Sequence, residues 1–166
     1  MPHIETSCCF TGHRPAKLPW RYNEADPACL ALKQKIADAV EAVYGSGVRH
    51  FLCGMAQGCD LYFCEAVLAL REQHPEVTLE CAIPWTGQAG QWPEAQQRRY
   101  RALVDRCDYR TVVQETYSPD CMRRRNRYMV DNASVVIGAY NGSGGGTLQT
   151  LQYALRQKKE VVIIEF

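Results

Sequence analysis

Short apolar runs alternate along this chain with segments whose apolar residues recur every three or four positions, a pattern that predicts strands alternating with helices. Thr6 to Thr11 is an apolar run stopped by Gly12, which predicts a buried first strand entering a tight loop. Asp26 and Pro27 supply a helix cap with proline at the first helical position, and Cys29, Leu32, Ile36, Val40 and Val43 continue at helical spacing until Gly45 and Gly47. Val48 to Cys53 predicts a second strand and Gly54 to Gly58 its loop, with Asp60 as the cap of a helix that carries Leu61, Cys64 and Leu68 on one face. A third strand, Val77 to Ile83, is expected to end at Pro84. Trp85 to Arg101 is polar and contains Gly87, Gly90 and Pro93, so it reads as a loop with the reach of a lid, entering a helix that runs to about Cys107. Tyr109 to Gln114 predicts the fourth strand, Pro119 and Asp120 introduce a basic helix to about Asn132, and Ser134 to Tyr140 predicts the fifth strand. After the Gly, Ser and Asn loop from Asn141 to Gly146, Leu148, Leu151 and Leu155 mark a last helix, and Val161 to Phe166 a last strand.

That rhythm implies crossover connections, hence an α/β domain of Rossmann type with a mainly parallel sheet and helices on both faces. The near-continuous apolar runs Val135 to Ala139 and Val161 to Ile164 agree, because strands covered on both faces lose polar alternation. No linker or repeat divides residues 1–166, so one domain is expected.

Charge narrows the partners. Lys and Arg number 19 against 18 Asp and Glu, a formal charge of +1, which gives no global field for DNA, RNA or an acidic membrane; a basic site must be local. On this ground nucleic acid and membrane are not expected as partners. The cysteines number 9, an odd count that argues against full disulfide pairing, and most sit in strand runs or on apolar helix faces where a thiol packs as a small hydrophobe. Cys53, Cys59 and Cys64 lack the spacing of a zinc knuckle, so no metal is expected. The first residues, MPHIETSCCF, have no charged leader followed by a long apolar segment, and with so many unpaired thiols a reducing cytoplasmic location is expected.

Three glycine-bearing segments each follow a predicted strand and precede a helix: Thr11 to Pro15, Gly54 to Asp60, and Gly142 to Thr147. In a parallel sheet they gather at the carboxyl edge, where open α/β sheets bind ligands. Glycine permits close backbone approach, and amides at a helix start attract anionic oxygens, so Gly144, Gly145, Gly146 and Thr147 form the best phosphate cradle, with Thr11, Gly12, Gly54 and Gly58 in the other loops. Any one loop could equally be a plain strand-to-helix turn. None fits GxGxxG or the Walker lysine pattern, which leaves dinucleotide dehydrogenases and P-loop NTPases unsupported. Arg14, and Arg125 with Asn126, could add charge-assisted contacts, although a run such as Arg123 to Arg127 is often a solvated face. Asp60 and Glu65 lie beside the second loop as candidate partners for a ribose hydroxyl. Trp85, Gln88, Gln91 and Trp92 could stack on a base or pack in the core. His13 fits a turn better than catalysis.

The combination Cys9-Phe10-Thr11-Gly12-His13-Arg14-Pro15, Gly54-Met55-Ala56-Gln57-Gly58-Cys59-Asp60, and Met129-Val130-Asp131 ahead of Gly144-Gly145-Gly146-Thr147 resembles the YpsA-type branch of the SLOG superfamily. That Rossmann-like group also holds the LOG phosphoribohydrolases and the DprA DNA-processing proteins. The resemblance implies a site for a nucleotide or ADP-ribose-like ligand, no required cofactor, and a sensor or effector role, and it admits a protein partner and a homodimer. Met122, Arg125, Gly144, Gly146 and Thr147 fall on positions of the LOG motif, which makes Arg125 the counterpart of a catalytic arginine. Thr150 stands where LOG has its glutamate, and cleavage of an N-glycosidic bond gains about 10² to 10⁴ in rate from such a carboxylate. The expectation is therefore a nucleotide-binding sensor without assigned catalytic residues. The alternatives are a LOG-like hydrolase drawing its acid from Asp60 or Glu65, and a DprA-like binder of single-stranded DNA using Arg98, Arg99, Arg101 and the Arg123 to Arg127 run.

Overall fold

The computed structural model describes residues 2–166 as six strands and five α-helices. In chain order they are β1 (Ser7–Gly12), α1 (Pro27–Gly45), β2 (His50–Cys53), α2 (Cys59–Gln73), β3 (Thr78–Trp85), α3 (Glu94–Arg106), β4 (Tyr109–Gln114), α4 (Cys121–Asp131), β5 (Val135–Tyr140), α5 (Gly146–Arg156) and β6 (Glu160–Glu165). The strands form one parallel sheet in the order β4-β3-β2-β1-β5-β6.

The apolar pattern sorts the helices. Cys8 and Phe10 of β1, Phe51 and Cys53 of β2, and Leu79, Cys81 and Ile83 of β3 pack with α1, α2 and Leu103 of α3. The alternate positions Cys9, Leu52, Ala82 and Val136 pack with Met129 and Val130 of α4 and Leu151 and Ala154 of α5. Phe10 stacks on Phe63 with centroids 4.7 Å apart, fixing α2 over the first strand. The order of strands reverses beside β1: three crossovers build outward to β4, then the chain returns to lay β5 against β1. Between β1 and β5 the flanking connections leave in opposite directions, so a crevice opens beyond their carboxyl ends.

Asp26 caps α1 as the sequence predicts, its Oδ1 accepting from the Ala28 amide at 2.8 Å. Two expectations fail locally. Asp60 is not a cap: Gly58 holds that position and Asp60 lies inside the first turn of α2. β3 runs through Pro84 to Trp85, because β2 ends at Cys53, opposite Cys81, and the later part of β3 pairs with β4 alone. A proline is tolerated where one ladder has already ended.

Candidate functional site

The first turn of α5 has no side-chain cap. Its cap is Gly145, whose φ of +124° suits glycine and which offers no side chain to the helix amides. Those N–H groups, at the positive end of the helix dipole, remain for another acceptor. α2 also begins without a side-chain cap, but there the Cys59 amide donates to the His13 carbonyl at 3.2 Å, and Asp60 Oδ2 accepts from the Ala56 amide of the preceding loop at 3.1 Å.

A cavity of about 320 Å³ lies in front of the α5 start, at the β1/β5 crevice. Eight of the residues expected from sequence line it: Thr11, Gly12, Arg14, Asp60, Arg125, Asn126, Gly146 and Thr147. Gly144 and Gly145 sit in the same loop just outside the lining, while Gly54 and Gly58 support the wall from behind. A Cβ on Gly54 would fall 2.7 Å from Arg125 Cζ, and one on Gly58, where φ is +84°, would fall 2.8 Å from the His13 carbonyl oxygen. These two glycines make room for contacts inside the protein. Glu65 stands apart: it is exposed on α2 and pairs with Arg99, which also holds Glu24. Trp85 packs edge-on against Tyr117 and Trp92 against Tyr100, and neither lines the cavity.

Arg125 is the centre of the wall. It is 3% exposed, unlike its neighbours Arg123 and Arg124, which point to solvent. Its Nη1 donates to the carbonyls of Gly54 and, at 3.3 Å, Ala82, and its Nε donates to Asn126 Oδ1 at 2.8 Å. Among the described residues Nη2 meets only the weak acceptor Met122 Sδ, at 3.8 Å. Burial lowers the Arg125 pKa, and the charge of nearby Asp60 opposes that shift. Asp60 is in turn raised by burial and lowered by Arg125. With Arg14 and Lys17 also in the lining, three cationic side chains face one carboxylate, a balance that suits an anion.

Lys17 is the residue the sequence reading missed. It ends a short 3-10 turn, Pro15–Lys17, and its ammonium donates to the Gly144 carbonyl across the crevice, beside Gly145. The Pro15 start of that turn was the available signal. His13, 3% exposed, accepts from the Asn141 amide through Nε2 at 3.3 Å, and burial followed by the Lys17 charge lowers its pKa. It ties the first loop to the last as a neutral turn residue.

Thr150 donates from Oγ1 to the Gly146 carbonyl at 2.8 Å. The hydroxyl that the resemblance aligns with the LOG glutamate is thus folded back on its own helix. Thr150 belongs to an adjoining groove of about 390 Å³ between α4 and α5, which shares Met122, Asn126 and Gly146 with the first cavity and carries Arg123, Arg127 and Arg156.

Six parallel strands with a ligand-sized crevice at their switch point define an α/β protein of Rossmann type. The chain belongs to the YpsA family, described as a SLOG family, whose model matches residues 8–165. It is 29% identical over 142 residues to the uncharacterized SPbeta prophage-derived protein YoqJ of Bacillus subtilis, covering 78% of this chain and 83% of that one. It is 22% identical over 153 residues to the UPF0398 protein YpsA of the same organism, covering 91% and 84%. Among solved structures it resembles DNA processing protein A (DprA) of Streptococcus pneumoniae, with a TM-score of 0.63 at 15% identity, over 96% of this chain and 50% of that one. A DprA of Helicobacter pylori, described by its single-stranded DNA binding mode, gives the same TM-score at 13% identity over 96% and 65%.

The expectation that nucleic acid is not a partner is overturned by these neighbours, since the fold is shared with DNA-processing proteins. A net charge of +1 averages over a whole chain, whereas α4 and α5 gather Arg123, Arg127 and Arg156 along one groove. No helix among the described residues is long and apolar enough to cross a membrane.

Proposed function

We propose that this protein binds a phosphate-bearing nucleotide in the β1/β5 crevice, with the phosphate at the start of α5 and the nucleoside extending past Asp60, and that occupancy serves a sensing or regulatory role. One observation carries the reading: a buried guanidinium, Arg125, keeps Nη2 without a strong protein acceptor on the wall of a cavity that ends at uncapped helix amides. A buried cation normally has a hydrogen-bonded counter-charge, and a phosphate supplies both charge and acceptors. Lys17 and Arg14 add charge at the rim, and Asp60 offers an acceptor for a ribose hydroxyl.

The test is calorimetric titration with AMP, ADP-ribose and a short 5′-phosphorylated single-stranded oligonucleotide, at two salt concentrations. Saturable binding of a mononucleotide, weakened at least tenfold in Arg125→Gln, supports the reading; binding of the oligonucleotide alone would move the function to nucleic acid. Absence of binding by all three, in protein shown to be folded, overturns it.

Hydrolysis is the second reading, favoured by a single observation: Asp60 is a buried carboxyl with a raised pKa on the cavity wall. Glu65 is held by Arg99 away from the crevice, and Thr150 is no acid. Incubation with AMP should release negligible free adenine; steady release abolished by Asp60→Asn would establish the enzyme instead.

A further inference from the structure

Away from the crevice, toward the amino ends of the strands, a buried carboxylate ties α4 to the sheet. Glu80 on β3 is 7% exposed and is bonded by three side chains: His50 of β2 through Nε2 at 2.9 Å, Thr111 of β4 through Oγ1 at 2.8 Å, and the Tyr128 hydroxyl of α4 at 2.5 Å. An ionised carboxylate only accepts, so the His50 ring donates to it from Nε2, and its Nδ1 meets the Thr78 hydroxyl at 2.8 Å. Donors from β2 and β4 thus fix the carboxylate in the sheet. Its remaining bond, to Tyr128, leaves the sheet for the helix.

The same helix carries Arg125. Arg125 and Tyr128 are three positions apart, so they rise from one face of α4. Tyr128 bonds Glu80, and Arg125 bonds the carbonyl of Ala82, two residues further along β3. α4 therefore runs against the direction of β3 and is pinned to it by a polar contact at each end. The rest of that contact is apolar, with Met129 and Val130 in one cluster with Leu52, Ala82 and Val136. Apolar burial is non-directional, so it does not by itself fix how far the helix slides or turns on the sheet. A hydrogen bond to an immobile carboxylate does. The two pins differ in kind: the Tyr128 bond is complete inside the protein, whereas Arg125 lies on the crevice wall with Nη2 facing only Met122 Sδ among the described residues.

We propose that Tyr128 is a positioning residue: through Glu80 it fixes where α4 presents the Arg125 guanidinium to the crevice. Its effect on ligand affinity rests on the nucleotide reading, whereas its effect on the guanidinium of the free protein does not. A guanidinium recognises an oxyanion through N–H groups of fixed direction, so a small displacement of the helix weakens the contact. Removing the Tyr128 hydroxyl takes away the pin and leaves the ring in place to pack.

The experiment follows the Arg125 Nε–H signal by nitrogen–proton NMR correlation in the ligand-free protein, the signal being the one absent from Arg125→Gln. The bond from Nε to Asn126 Oδ1, 2.8 Å, shields that proton from exchange with water. In Tyr128→Phe the signal should move and its exchange quicken about tenfold or more, because local opening exposes the shielded proton. Thr78→Val is the control: it removes the hydroxyl bonded to His50, on the far side of the cluster from α4, and should lower the melting temperature while leaving the signal in place. Should Tyr128→Phe fail to fold, Glu80→Gln weakens the same contact and carries the same expectation. Calorimetry with AMP completes a double-mutant cycle, in which Tyr128→Phe should weaken binding about three- to tenfold alone and add nothing in the Arg125→Gln background. An unmoved signal, an equal shift in Thr78→Val, or additive losses in the cycle would overturn the proposal. Native protein that binds no AMP would overturn the nucleotide reading instead, and the Arg125 signal alone would then decide the positioning.

Discussion

The Arg125 guanidinium occupies the space that a side chain at residue 54 would need: a Cβ on Gly54 would lie 2.7 Å from both Arg125 Cζ and Nη1. Any larger residue at 54 therefore acts on the site through Arg125. Gly54→Ala should cost about 1–3 kcal/mol of stability, as overpacked positions do. It should also weaken nucleotide binding about tenfold or more, because the guanidinium is displaced from the cavity wall. Thermal melts paired with calorimetry check this, and unchanged affinity in a destabilised variant would separate Gly54 from the site.

Lys17 reaches the Gly144 carbonyl from a different loop, and its charge is set at the rim of the crevice. Lys17→Ala should lower affinity for a nucleotide about 5- to 30-fold, and the deficit should shrink as salt rises, because exposed charges are screened over a Debye length of about 10 Å at 0.1 M. Titrations at low and high ionic strength measure it.

A separate prediction concerns acid. Burial raises the Glu80 carboxyl, but hydrogen bonds from His50, Tyr128 and Thr111 outweigh it and leave the pKa lowered. A carboxyl with a lowered folded pKa adds stability above its unfolded value, about 4.3, and loses it as pH falls through the folded value. The protein should therefore lose stability from about pH 4.3 downward. Glu80→Gln should be about 1–3 kcal/mol less stable at pH 7 and show a flatter acid limb. Denaturant unfolding at several pH values gives both quantities.

Gly138 in β5 faces Leu151 of α5, whose Cδ2 would lie 2.6 Å from an added Cβ. Gly138→Ala should lift α5 from the sheet at a cost of about 1–3 kcal/mol, visible as a lower melting temperature. A variant that also carries Leu151→Ala should regain part of the loss, since the two changes share one contact.

Spacing of apolar residues revealed the strand-helix alternation because each element buries a face, and a face has a period. Asp26 and Pro27 marked the start of α1 for the same local reason. Placement of side chains inside the crevice was legible only where chain geometry leaves no choice. Thr11, Gly12, Gly146 and Thr147 end strands or open helices at the switch point, so they had to line it. Asp60 and Glu65 are five residues apart on one helix, enough to turn one toward the crevice and the other toward Arg99. Lys17 escaped notice because a lysine in a polar loop carries no periodic signal, and its reach to Gly144 spans 127 positions. Gly54 and Gly58 read as ligand contacts, yet their neighbours, Arg125 and His13, are distant in sequence.

The lining of the crevice runs from Phe10 to Thr147, so no short fragment of the chain holds more than part of it. A nucleotide bound there recognises the completed fold, and occupancy at a hundred times Kd adds about 2.7 kcal/mol against global unfolding. Without a ligand the same protein would be the easier prey of a protease, so on the proposed reading its lifetime in a cell would follow the concentration of the nucleotide.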